Sequence, residues 1–273
     1  MTSGERLRRK GQASPTPFAN LIVVGASAGG YHAFAEILKN LSADMPAAIV
    51  ILLHAALRSP SFLRESLARS SRLPIIEVEH REPLRQGFLF VLPPGRSAIF
   101  GQGVITTEQE ILDRPLSTIN RLFASAATTY SKRVIGVVLT GLLRDGAEGL
   151  RAVHEAGGLT IVQNPLEAEY PDMPTNAMEG LPVTFCLNLA EIGPALELLV
   201  RRTARFETGL TVAVRTLRDR AALLLRLIEQ SFRNEGTREF LNNELASLRH
   251  EIQAIDDLVK ADFAKTHLNG NAG

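Results

Sequence analysis

The chain has 273 residues, 45% hydrophobic and 22% charged, enough to bury a sizeable core in one or two domains. With 30 Lys and Arg against 29 Asp and Glu, the formal net charge is +1, so no global field draws it to nucleic acid or a membrane surface. A single cysteine, Cys186, excludes an intrachain disulfide, and no apolar run approaches the ~20 residues of a membrane helix.

Residues 1–19 are polar and basic, with Arg6, Arg8, Arg9 and Lys10 and two prolines. They lack the apolar segment of a secretory signal and read as a disordered tail of a cytoplasmic protein. The organising stretch follows, LIVVGASAGG at Leu21–Gly30. A buried strand, a tight glycine turn and an amphipathic helix (Phe34, Ile37, Leu38, Leu41) form the opening unit of a parallel α/β sheet. Ser27 is the one residue of the turn with a reactive side chain.

The theme repeats to about Val200. Apolar runs at Ala48–Leu53, Phe88–Leu92, Val134–Leu139 and Leu159–Val162 alternate with helical patterns at Phe62–Leu67, Ile119–Ala127 and Leu150–Ala156. That alternation predicts a doubly wound, mostly parallel sheet with helices on both faces. Residues 77–107 differ, since short β-rich pieces flank Gly101-Gln102-Gly103, and they predict a small antiparallel hairpin appended to the sheet. Cys186 follows Val183-Thr184-Phe185 and is expected in the core.

Beyond residue 203 the spacing changes. Leu210, Val214, Leu217, Ala221, Leu224 and Ile228 recur in steps of four and three, as do Leu241, Leu245, Leu248, Ile252, Ile255 and Val259. Two heptad-like seams predict an antiparallel helical hairpin over 204–265, with 266–273 a second disordered tail. Its apolar stripe must be covered, either by the α/β part (20–203) or by a second copy, and a homodimer through the hairpin is the expectation.

In a parallel sheet, residues just past the carboxyl ends of neighbouring strands converge. His54 follows the second strand, and Asp145 lies in the Thr140–Gly146 loop after the strand ending at Leu139. Ser27, His54 and Asp145 thus supply a nucleophile, a base and an orienting carboxylate at one sheet edge. Each residue also has a plainer reading. Gly25–Gly30 is one substitution from a GxGxxG nucleotide loop, His54 reads as a capping or core histidine, and Asp145-Gly146 as a turn or helix cap. No His/Cys/Asp/Glu cluster has ligand spacing, so no metal is expected, and an organic cofactor enters only on the nucleotide-loop reading.

The segments LIVVGASAGG, LLHAALRSPSFLRESL, FVLPPG, VIGVVLTGLLRDGAEGL and IVQNPLEAEYPDMPTNAM resemble the successive motifs of the catalytic domain of the chemotaxis protein-glutamate methylesterase family, CheB, over roughly residues 20–200. The resemblance implies a serine esterase that hydrolyses glutamate methyl esters on cytoplasmic helices of chemoreceptors and deamidates receptor glutamines. It implies Ser27 as nucleophile, His54 as general base, Asp145 as the residue orienting His54, and the Leu142 backbone N–H as an oxyanion donor. Met173 and Pro174 match an MP pair near the site, and Ala28 stands where some members have threonine.

Several positions depart from the family pattern. Leu143 stands where many members have glycine, and leucine enters positive φ only at a cost, so an altered oxyanion hole is expected if the loop needs that geometry. The RPLSTINRLF segment (Arg114–Phe123) departs from the family pattern, with Asn120 where aspartate is usual, so receptor contacts are expected to differ; Arg144 is unusual in the Asp145 loop, and Asp172 stands where a small residue is more usual. Nineteen residues ahead of the first strand cannot hold the family's phospho-receiver domain, so control by phosphorylation in cis is not expected. A catalytically impaired module that binds receptor helices is the alternative reading.

Overall fold

The computed structural model describes residues 19–54, 60–93, 95–109 and 118–203, together with helical residues 217, 218, 221, 222, 225, 239, 242–250 and 252–253. It divides into two units, Met1–Arg201 and Arg202–Gly273.

The first unit is built on a seven-stranded sheet. In chain order its strands are β1 (Asn20–Ala26), β2 (Ala47–Leu53), β3 (Ile75–Glu77), β5 (Phe88–Val91), β8 (Val134–Val138), β9 (Leu159–Gln163) and β10 (Phe185–Leu187). Their spatial order is β10-β9-β8-β1-β2-β5-β3, and every pairing is parallel. The described helices are α1 (Gly30–Lys39), α2 (Pro60–Ala68), α3 (Thr118–Tyr130), α4 (Ala147–Glu155), α5 (Asp172–Met178) and α6 over residues 189–203.

Successive residues of β1 serve opposite cores, because strand side chains alternate between faces. Leu21 and Val23 pack with α3 and α4 residues such as Phe123, Ala127, Leu150 and Val153. Ile22 and Val24 pack with Phe34, Ile37 and Leu38 of α1 and with Ile192 and Leu196 of α6. A sheet buried on both faces explains the apolar runs of β1, β2 and β8. The chain winds from β1 to β2 on one side and later returns to place β8 on the other. The winding direction therefore reverses between β8 and β1, and the crevice of such a sheet opens beyond that point.

The predicted hairpin is a separate three-stranded sheet, β4-β7-β6, made of β4 (Arg81–Pro83), β6 (Arg96–Gly101) and β7 (Val104–Gln109). Residues Phe88–Val91, which the sequence places both among the apolar runs of the sheet and within the 77–107 region, pair in parallel with β2 and β3 in the main sheet. Gly103, at φ 73, makes the tight turn between β6 and β7, and Tyr130 of α3 reads both strand ends through Gly101 and Gly103.

Cys186 is exposed, contrary to expectation. It lies on β10, a three-residue strand that pairs only with β9 at the sheet edge, and edge position outweighs its apolar sequence neighbours. In the second unit the described residues are helical, with Leu245 and Leu248 buried, Glu244 partly buried and Arg249 and His250 exposed. The remainder of the predicted hairpin, its antiparallel pairing and the two tails lie outside the described residues. Among the described residues no helix is long and apolar enough to cross a membrane.

Candidate active site

Three adjacent strands, β2, β1 and β8, deliver the three residues singled out from the sequence. Ser27 directly follows β1 and is half-buried. Its N–H donates to the Thr140 carbonyl (3.1 Å), and the Thr140 hydroxyl donates to the Ala28 carbonyl (3.2 Å), so the serine turn is tied to the loop after β8. Gly29, at φ 73, completes the turn, and a Cβ on Gly30 would stand 2.5 Å from that of Ala26. The backbone thus passes closely enough over the strand end to start α1 at once.

His54 follows β2, and its N–H extends the ladder by donating to the Ala26 carbonyl (2.9 Å). Its side chain is a quarter exposed. Nε2 is hydrogen-bonded to the Thr118 hydroxyl and lies 3.5 Å from Asp145 Oδ2. The Ser27 hydroxyl donates to the His54 carbonyl at 3.4 Å rather than to the ring.

Asp145 is 2% exposed. Oδ2 accepts the Ile119 N–H (3.0 Å), and Oδ1 accepts those of Asn120 (3.0 Å) and Gly146 (2.9 Å). A buried carboxylate is tolerated only when its lone pairs are filled, and these donors fill them. Burial pushes its pKa above the ordinary aspartate value, while the Ile119 and Asn120 N–H groups, the His54 charge and the Gly146 N–H oppose the shift.

The remaining candidates surround Ser27. A Cβ on Gly141 would lie 2.2 Å from Met173 Sδ and 2.8 Å from Ser27 Cβ, so only glycine fits between them. Met173, 1% exposed, packs behind Gly141, and its N–H donates to the Gly141 carbonyl (3.0 Å). Leu142 is half exposed at the rim. Neither its N–H nor that of Ala28 has an acceptor among the described residues. Leu143 does enter the left-handed region, at φ 68, despite being leucine.

Two contributors escaped the sequence reading. Thr118 reaches His54 from the first turn of α3. Asn120 turns inward: its Oδ1 accepts from Gly146 (3.0 Å) and Gly149 (2.7 Å) and caps α4. The unusual asparagine was its signal. Among the described residues no group of three or more His, Cys, Asp or Glu is placed to hold a metal. A hydroxyl, an imidazole, a buried carboxylate and two unfilled N–H groups suit attack on a carbonyl carbon.

Comparison with known proteins bears on the same residues. The sequence model of the CheB methylesterase family matches residues 22–196. The protein-glutamate methylesterase/protein-glutamine glutaminase 2 of Anaeromyxobacter dehalogenans is 38% identical over 198 residues, covering 71% of this chain and 58% of that protein. A putative protein of the same description from Leptospira interrogans is 36% identical, over 66% of this chain and 93% of its own length. The crystal structure of the Thermotoga maritima CheB methylesterase catalytic domain superposes with a TM-score of 0.61 at 26% identity, covering 67% of this chain and all of that one. The chain thus spans somewhat over half of the first of these relatives and nearly all of the second.

Proposed function

Since the chain belongs to the CheB methylesterase family, we propose that it is a serine hydrolase removing methyl esters from glutamate side chains on cytoplasmic helices of chemoreceptors. The same steps would deamidate receptor glutamines. The observation that carries this reading is the meeting of Ser27, His54 and Asp145 at three adjacent strand ends, with Asp145 buried beside the imidazole. The names of the relatives from Anaeromyxobacter and Leptospira support the same chemistry.

In this mechanism, rotation about the Ser27 Cα–Cβ bond carries Oγ from the His54 carbonyl to the ring. Nε2 is turned to Thr118 and Asp145, so Nδ1 takes the serine proton as Oγ attacks the ester carbon. The imidazolium forms beside the Asp145 carboxylate, which stabilises it. The Ala28 and Leu142 N–H groups, with the N-terminus of α1, take up the oxyanion. Collapse breaks the C–O bond, and the imidazolium protonates the departing methoxide to give methanol. Water then repeats the sequence with His54 as base, releasing glutamate and Ser27. For a glutamine the first leaving group is ammonia.

Methanol release from methylated receptor preparations tests the proposal, wild type against Ser27→Ala. The variant should lose most of the rate, because the triad acts as a unit. Undiminished release by the variant would exclude Ser27 as nucleophile. No release by the wild type, with no fluorophosphonate labelling of Ser27, would overturn the reading.

A further inference from the structure

The loop between β8 and α4 contains a residue whose conformation its own side chain disfavours. Leu143 has φ 68, in the region that bulky L residues avoid. Its side chain is half exposed, so burial of the leucine is not what holds it there. Both polar groups of its backbone are instead gripped from α5. The Leu143 N–H donates to Asp172 Oδ2 (3.4 Å), and its carbonyl accepts from Asn176 Nδ2 (2.7 Å). The same Asn176 nitrogen donates to the Asp172 carbonyl (2.8 Å), one helical turn back, which fixes its direction. On the other side of Leu142, the Gly141 carbonyl accepts the Met173 N–H (3.0 Å).

Leu142 is thus held only through its neighbours, and its own N–H is left without an acceptor among the described residues. Gly141, in contact with Ser27, is anchored before it, and Asp145 is anchored after it. If Leu143 relaxed to negative φ, the change would be absorbed by the dihedrals of its neighbours, Leu142 and Arg144, between the anchored Gly141 and Asp145. We propose that Asp172 and Asn176 form a clamp that holds Leu143 in the left-handed conformation and thereby aims the Leu142 N–H at the oxyanion formed on attack by Ser27. The role of that N–H rests on the esterase reading; the clamp itself does not. Two departures from the family pattern, leucine at 143 and aspartate at 172, then become one feature. A glycine at 143 would reach this φ freely and need no clamp.

The test is a cycle in the full chain: wild type, Asn176→Ala, Leu143→Gly and the double variant, with kcat and KM measured on methylated receptor preparations. Asn176→Ala should lower kcat roughly ten- to a hundredfold, as expected for about 1 Å of misplacement, with KM changed less than about twofold. On the Leu143→Gly background the same change should cost less than about threefold, because glycine holds the conformation unaided. Equal losses on both backgrounds would overturn the proposal. A crystal structure of Asn176→Ala supplies an arm that does not depend on activity. Departure of Leu143 from positive φ supports the clamp, and retention overturns it. Inactivity of the wild type, with Ser27 unlabelled, counts against the esterase reading alone and leaves the clamp to be judged by that structure.

Discussion

Asn120 and Asp145 cap one another's helix. The Asn120 N–H, in the first turn of α3, donates to Asp145 Oδ1 at 3.0 Å. In return Asn120 Oδ1 accepts the N–H groups of Gly146 and Gly149 at the start of α4, whose own N-cap, Gly146, offers no side chain. The orphan N–H groups of two helices are thereby satisfied reciprocally. The carboxylate beside His54 is therefore positioned by the packing of α3 on α4, with the imidazole as an additional neighbour.

Removing the reciprocal acceptor should cost stability. Asn120→Ala leaves the Gly149 N–H unpaired and the Gly146 N–H with Asp145 Oδ1 alone, and is expected to lower unfolding free energy by about 1–2 kcal/mol. Asn120→Asp keeps an acceptor and should recover much of that loss. Urea denaturation of the three proteins checks it, and an alanine variant within about 0.5 kcal/mol of wild type, the range of neutral surface changes, would refute the capping role.

The buried carboxylate predicts a pH dependence. Burial raises the pKa of folded Asp145 above the ordinary value of 3.8. In the window above 3.8, up to the raised value, the folded protein keeps a proton that the unfolded chain has released. Stability therefore falls as pH climbs through that window and stays lower above it. Asp145→Asn cannot titrate, so wild-type stability minus that of the variant should decline with rising pH. A difference that grows with pH in urea titrations would mean that the Ile119, Asn120 and Gly146 N–H groups outweigh burial.

Thr118 is expected to position His54. Thr118→Val keeps the branched shape and removes the oxygen bonded to Nε2. The loss of one such hydrogen bond is about 1–2 kcal/mol, so kcat on methylated receptor preparations should fall roughly five- to thirtyfold with KM nearly unchanged. Thr118→Ser should restore it. Steady-state kinetics in which valine and serine variants behave alike would exclude the hydroxyl.

The sheet was legible because its central strands are buried on both faces. Leu21–Val24 and Ala48–Leu53 are unbroken apolar runs, Val134–Leu139 is interrupted only by Gly136, and the polar or glycine residues that follow mark the strand ends. That is why Ser27, His54 and Asp145 could be placed on one edge. The three-residue strands β3 and β10 carry too few residues to show a period, and α5 has the sequence DMPTNAM, with a proline in its first turn and no apolar stripe.

The chain's own order of apolar and polar residues determined the fold class, the strand ends and the residues that follow them, since burial along a strand is written locally. Which of those residues touch was decided by tertiary structure. Asp145 meets Ile119 across 26 residues and Asn176 meets Leu143 across 33, through hydrogen bonds that exist only because α3, α4 and α5 pack beside the β8 end. Cys186 is exposed for a related reason, its strand being last in the sheet. Neighbours in space are set by sheet order and helix packing, and periodicity along the chain carries no record of either.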